Sequence, residues 1–136
     1  LEKNRYWHVR RSLNLEKMRQ GAEFLVGRHD FTTFRSTLCQ AKSPIKSIDK
    51  IEILNINSFM GPSIHIKFEA RSFLHNQIRS IIGTLEKVGT DNWDPERVKF
   101  ALFAKNRAEC GPVAPPSGLY LTQIDYEKNI FEKEKR

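Results

Sequence analysis

The chain has 136 residues, 39% of them hydrophobic, with nine phenylalanines, which suffices for one domain with a real core and argues against disorder. Twenty-three Lys and Arg against sixteen Asp and Glu leave a formal charge of +7. That surplus favours an anionic partner, nucleic acid or an acidic membrane surface, over a cationic ligand. Cys39 and Cys110 lie far apart with no CxxC spacing, so neither a disulfide framework nor a zinc site is indicated and a reducing compartment is expected. No run approaches the length of a membrane span and no signal-peptide core is visible. The sequence opens on Leu1 and a charged, aromatic stretch, which suggests a piece of a longer protein; the lack of a targeting segment then carries no weight.

In chain order, Arg5 to Val9 reads as a short strand, aromatic and β-branched. Asn14 is placed to cap a helix from Leu15 to about Val26, with Leu15, Met18, Ala22, Leu25 and Val26 on one face and Gly27 as its left-handed stop. Residues 28–47 show no sustained period, which predicts a loop with one helical turn. Ile48 to Ile56 predicts a strand whose period slips at Ile53-Leu54, where a bulge is expected. Met60-Gly-Pro-Ser63 reads as the turn to an antiparallel partner. In that partner, Ile64, Ile66, Phe68 and Ala70 alternate with His65, Lys67, Glu69 and Arg71, so one face is buried and the other wet.

A helix is expected from about Leu74 to Val88, with Leu74, Ile78, Ile81, Ile82, Leu85 and Val88 on its stripe and Gly89 at its end. Asp94-Pro95 opens another, cap then first-turn proline, running to about Ala104. Residues 106–118, rich in Pro and Gly, form a loop, Leu119 to Tyr126 a last strand, and residues 127–136 a charged, solvated tail. Strands joined by a turn with helices between them give an α+β fold: an antiparallel or mixed sheet covered on one face by helices. Residues 1–126 make one unit, without repeats.

Candidate chemistry is sparse. No glycine-rich phosphate loop occurs, and His8, His29, His65 and His75 lack metal-ligand spacing. Glu86, Glu96 and Glu109 read as solvated charges. Asp30, between His29 and Phe31, is the one carboxylate in an unusual setting, and a turn or cap explains it more simply than catalysis. Arg79 lies one step off the apolar stripe of its helix, four residues after His75 and on the same side. Its rigid fork of donors stays charged at any working pH and suits a carboxylate or phosphate. A solvated flank charge would look the same in the sequence.

Four segments stand in one order: Gly27-Arg-His-Asp-Phe-Thr-Thr-Phe-Arg35, Cys39-Gln-Ala-Lys-Ser-Pro44, Phe73-Leu-His-Asn-Gln-Ile-Arg79 with Gly83 and Val88-Gly89, and Ala114-Pro-Pro-Ser-Gly-Leu-Tyr-Leu121. Together they resemble the C-terminal half of tRNA pseudouridine synthases of the A type, over about residues 5–126. The resemblance implies a pseudouridine synthase fold and the isomerisation of uridine to pseudouridine in the anticodon stem-loop of tRNA. It implies no metal or organic cofactor, no membrane, a bacterial cytoplasmic setting, and a homodimer whose subunits jointly hold one tRNA.

In that family an aspartate in an Arg-Thr-Asp-Ala-Gly-like motif acts at the ribose of a flipped uridine. Nothing in this chain matches that motif, nor the tyrosine that stacks on the base; Tyr6 stands in another context. By resemblance Arg79 pairs with the absent aspartate and Leu119 supplies the apolar residue near the flipped base. The physics of that pairing is coherent: burial would raise the carboxylate's pKa, and an arginine opposes the shift without losing its own proton. Uridine flipping costs a few kcal/mol, recovered by stacking and phosphate contacts. Arg28, His29, Arg35, Lys42, Lys46, Arg71 and His75, beside these motifs in loops or at strand ends, are the expected RNA contacts.

On this reading the chain alone is inactive, and exposes an apolar patch and an unpaired strand, Arg5–Val9 or Leu119–Tyr126, where the other half belongs. Two other classes fit the residues: an RNA-binding module that has lost catalysis, and a protein-interaction domain with scattered basic residues. An Arg-Thr-Asp-like stretch upstream would separate the first reading from the second.

Overall fold

A computed structural model of the chain describes residues 13–36, 43–58, 61–74 and 76–115. The first helix, α1 (Leu15–Glu23), starts where the sequence indicates, because the Asn14 side chain accepts the Lys17 N–H at 3.1 Å. It ends earlier than expected. Phe24, Leu25 and Val26 donate to the carbonyls three residues back, a tightening that turns the chain out of the helix. Gly27 then takes φ +105°, a backbone that side-chain-bearing residues rarely adopt.

Gly27 also begins a strand the sequence does not announce, β1 (Gly27–Asp30). Gly-Arg-His-Asp has neither alternation nor β-branched residues. Its extended state comes from antiparallel pairing with the start of β2 (Ile45–Ser58), Gly27 opposite Ile48 and Asp30 opposite Ile45. Between the two lies the expected single helical turn, a 3₁₀ turn at Thr32–Phe34. The strand β2 runs on to pair with β3 (Gly61–Ala70), Ser58 opposite Gly61, so only residues 59 and 60 connect them and Gly61 and Pro62 already belong to β3.

The bulge lies at Asp49, between the pairs Ile48–Ala70 and Lys50–Glu69, rather than at Ile53-Leu54. Across it the inward residues change parity, from Ile48 to Ile51 and Ile53. Leu54 is an apolar residue on the outer face, opposite His65, and that placement imitates a slip in the sequence. The sheet has the order β1-β2-β3, all antiparallel.

Helix α2 (Gln77–Gly89) begins three residues later than its apolar stripe suggests, because Leu74 is buried from the preceding link. Helix α3 (Pro95–Ala104) matches its signal, and Lys105 at φ 49° closes it. A second 3₁₀ turn, Arg107–Glu109, breaks the expected loop.

The helices cover one face of the sheet, giving the α+β arrangement. Ile48, Ile53 and Ala70 meet Met18 and Ala22 of α1, Ile81, Leu85 and Val88 of α2, and Val98 and Leu102 of α3. Phe31 and Phe34 are fully buried edge to face, centroids 6.3 Å apart, and each such side chain is worth about 1.5–3 kcal/mol of burial. The outer face carries Lys50 opposite Glu69 and Glu52 opposite Lys67. Beyond Ile48 no described strand flanks β2 on its β1 side, and there the Arg19 guanidinium of α1 donates twice to the Ile53 carbonyl, at 2.8 and 3.1 Å. Large apolar residues among the exposed ones are Ile45, Ile64, Phe100 and Phe103. The strands expected at Arg5–Val9 and Leu119–Tyr126, and the boundary at residue 126, lie outside the described residues. Among those described, no helix is long and apolar enough to cross a membrane.

Candidate active site

Arg79 stands in the first turn of α2, half-buried. Its Nε donates to the Ala114 carbonyl at 2.7 Å and its Nη1 to the Asn76 side-chain oxygen at 3.0 Å. The Ala114 N–H in turn donates to the Arg79 carbonyl at 3.0 Å, so the two residues are locked in both directions. Both acceptors of the guanidinium are neutral. Among the described residues no carboxylate pairs with it.

The helix start is fastened by Gln77. Its Oε1 accepts the Leu74 N–H at 2.8 Å while its own N–H donates to the Leu74 carbonyl at 3.0 Å. That exchange frees Asn76, the residue before the helix, to turn its amide oxygen to Arg79.

Ala114 reaches Arg79 because residues 110–114 lie against the helix with no side chain between. A Cβ on Gly83 would stand 1.5 Å from the Pro112 oxygen, and one on Gly111 2.8 Å from Thr84 Cα. The Thr84 hydroxyl donates to the Ser80 carbonyl at 2.9 Å and accepts the Gly111 N–H at 3.0 Å, using both its capacities. Helix α2 therefore has two buried faces, an apolar one toward the sheet and a small, polar one of Ser80, Gly83 and Thr84 under this segment.

Arg107 ties the same region to the segment after β1. Its Nη1 donates to the Thr33 carbonyl and the Ser80 hydroxyl, each at 3.1 Å. The fully buried Thr33 hydroxyl donates to the Ala101 carbonyl at 2.6 Å and accepts the Asn106 N–H at 3.0 Å. Asp30 has the turn role: its Oδ1 accepts the Thr32 N–H at 2.9 Å and the Thr32 hydroxyl at 2.6 Å, opening the 3₁₀ turn. Burial pushes its carboxyl up, but the Thr32 bonds and the charges of Lys105 and Arg35 outweigh it and hold the pKa below the usual carboxylate value. Glu109, expected to be solvated, pairs with Arg97 at 2.9 Å.

Of the basic residues expected at RNA, Arg28, His29, Lys46 and Arg71 lie at one end of the sheet but on two faces. Arg28 lies opposite Ser47 on the outer face, and Arg71 continues β3 on that side. His29 lies opposite Lys46 on the helix side, where the Lys46 ammonium donates to the Ser72 hydroxyl at 3.0 Å. His29 is partly committed, since its Nε2 donates to the Val26 carbonyl at 2.8 Å and its ring meets Phe31 edge-on. Arg35 is half-buried at the end of the 3₁₀ turn and has a partner of its own. Arg107, bonded to the Thr33 carbonyl just after β1 and to the Ser80 hydroxyl beside Arg79, brings the start of α2 near this end of the sheet. Lys42, His75 and Leu119 lie outside the described residues.

Sequence reasoning missed Asn76, the Ala114 carbonyl, Thr33 and Arg107. Only Asn76 left a usable signal, three residues before Arg79 and so on the same side of the chain. The other contacts join residues far apart in sequence or run through the backbone.

Residues 22–127 match the family model described as tRNA pseudouridine synthase. The chain is 48% identical over 134 residues to a protein of Ruegeria sp. (strain TM1040) named tRNA pseudouridine synthase A, covering 98% of this chain and 52% of that protein. It is 53% identical over 126 residues to the protein of that name from Dinoroseobacter shibae, covering 93% and 49%, and 52% identical over 134 residues to that of Paracoccus denitrificans, covering 98% and 51%. The chain thus spans about half the length of the curated relatives it matches. With the match covering most of its length, the chain belongs to the tRNA pseudouridine synthase family.

Proposed function

We propose that this chain is the C-terminal half of a bacterial, cytoplasmic enzyme that isomerises uridine to pseudouridine in the anticodon stem-loop of tRNA. The nucleophilic aspartate belongs to the other half. The observation that carries the reading is Arg79 itself, a guanidinium fixed at a helix start by two neutral acceptors with no carboxylate among the described residues to neutralise it. A cation so held is suited to a carboxylate brought by another segment. It keeps that carboxylate ionised in a desolvated pocket, which is where a nucleophile would otherwise take up a proton.

Leu119 walls the flipped base. Arg28, His29, Arg35, Lys42, Lys46, Arg71 and His75 supply phosphate contacts, and two subunits hold one tRNA between them. The split of Arg28 and Arg71 from His29 and Lys46 across the sheet has a consequence for the RNA path. One strand of RNA would have to wrap the sheet end to touch both sets.

The test is Arg79→Lys in the full-length gene product. Tritium release from uridine-labelled anticodon stem-loop RNA should fall about a hundredfold or more, while RNA affinity changes by less than about threefold. Equal loss of both would make Arg79 a phosphate contact and sink the assignment. The chain alone should release no tritium and should bind RNA weakly, with an affinity that falls steeply between low and physiological salt.

A further inference from the structure

We propose that Asn76 is a positioning residue for Arg79, aiming its guanidinium at an incoming carboxylate while leaving its charge intact. The proposal rests on the reading of Arg79 given above. Asn76 occupies the position before α2 with φ 64° and ψ 9°, a left-handed conformation that asparagine tolerates better than most residues. An asparagine before a helix ordinarily turns its side chain onto the first-turn amides. This one makes no such bond. Its oxygen instead accepts from Arg79 Nη1 at 3.0 Å, and the left-handed turn is what brings it there.

With Nε held by the Ala114 carbonyl at 2.7 Å, a second acceptor on a different nitrogen fixes the plane of the guanidinium. An arginine has five N–H donors, and these two bonds use one each on Nε and Nη1. Both hydrogens of Nη2 and the second of Nη1 stay uncommitted among the described residues. That is the edge a carboxylate takes in a bidentate pair. The chemistry of the acceptor matters as much as its place. A carboxylate at residue 76 would hold the same geometry but neutralise the cation before its partner arrived. An amide oxygen orients without competing.

The test compares two substitutions in the full-length gene product. Asn76→Gly accepts the left-handed backbone and removes the side chain with its acceptor oxygen. It should lower kcat about three- to tenfold, with the KM for tRNA within about twofold and the melting temperature near wild type. Asn76→Asp keeps an acceptor in place but neutralises Arg79, and should lower kcat by more than about tenfold, again with little change in KM. A role confined to the turn predicts the opposite pattern: glycine harmless, and aspartate, which also tolerates this backbone, nearly so. Wild-type kcat in both variants, with Arg79→Lys inactive, overturns the positioning role alone; an active Arg79→Lys enzyme overturns the reading beneath it. A second measurement needs only this chain. Nitrogen-15 spectra of the Arg79 side chain should show slow rotation of its Nη groups in the wild type and fast rotation in Asn76→Gly. Unchanged rotation would also overturn the proposal.

Discussion

Adding one methyl group at Gly83 should damage both the stability of the chain and the placement of Arg79. In Gly83→Ala the new Cβ would lie 1.5 Å from the Pro112 oxygen, 2.7 Å from its carbonyl carbon and 3.2 Å from the Ala114 nitrogen. These are backbone atoms, so no side chain can swing aside, and residues 110–114 must withdraw by roughly 1.5–2 Å to restore van der Waals contact. That shift breaks Gly111 N–H to Thr84, Ala114 N–H to Arg79, and Arg79 Nε to Ala114, all now between 2.7 and 3.0 Å. A neutral bond contributes about 0.5–1.5 kcal/mol and one from a charged donor about 1.5–3. Against the loss stands the better helix propensity of alanine, about 1 kcal/mol. The net is a destabilisation of about 2–4 kcal/mol, or a melting temperature lower by roughly 10 °C for a domain of this size. Gly89→Ala is the control: its Cβ would meet the flexible Met18 and Leu13 side chains, which can repack, and should cost less. Circular-dichroism melts of the two variants decide the matter. A Gly83→Ala chain that melts with or above the wild type would show that residues 110–114 do not rest on α2 as described.

Thr33→Val keeps the shape of a buried side chain but leaves the Ala101 carbonyl and the Asn106 N–H without their partner, so urea unfolding should show a loss of about 2–3 kcal/mol; a loss below 0.5 kcal/mol would mean that these groups find water. The Asp30 carboxyl has a folded pKa below its unfolded value, so its stabilising effect is present above the unfolded pKa and fades as pH falls through the folded one. Asp30→Asn should therefore lower stability at neutral pH and narrow its gap to the wild type in strong acid, read from melting temperatures across that range. A constant gap would mean that the Asp30 carboxyl has the same pKa folded and unfolded, so that its partners do not favour the ionised form.

How much of this was legible in the sequence depends on which interactions decide each element. Helices α1 and α3 declare themselves because their signals are local: an Asn14 oxygen on the Lys17 amide, and a proline in the first turn after Asp94. The β2–β3 hairpin shows through the alternation of Ile64 to Ala70. Yet β1 was invisible, since four polar or small residues become a strand only when β2 supplies the partner groups. The bulge was misplaced because Leu54, apolar and outward, resembles a parity change that in fact happens at Asp49. These are tertiary decisions, and no local period encodes them.

The site divides the same way. Arg79 could be singled out by its place on the helix and by the words around it, but its orientation could not, because that is set by a backbone carbonyl thirty-five residues away. The approach that brings this carbonyl is made by absences: no side chain at Gly83, none at Gly111, and a hydroxyl small enough at Thr84 to serve both sides of the contact. Such a seam leaves only glycines and a threonine in the sequence, residues that each have many commoner explanations. In the role proposed for Arg79, the physical advantage of this arrangement is rigidity. On the proposed reading, a cation that receives a carboxylate from another segment gains from being aimed beforehand, since an arginine free to rotate would lose that freedom at the moment of pairing. Neutral acceptors held by a close-packed backbone seam fix the guanidinium and leave its charge unpaired among the described residues.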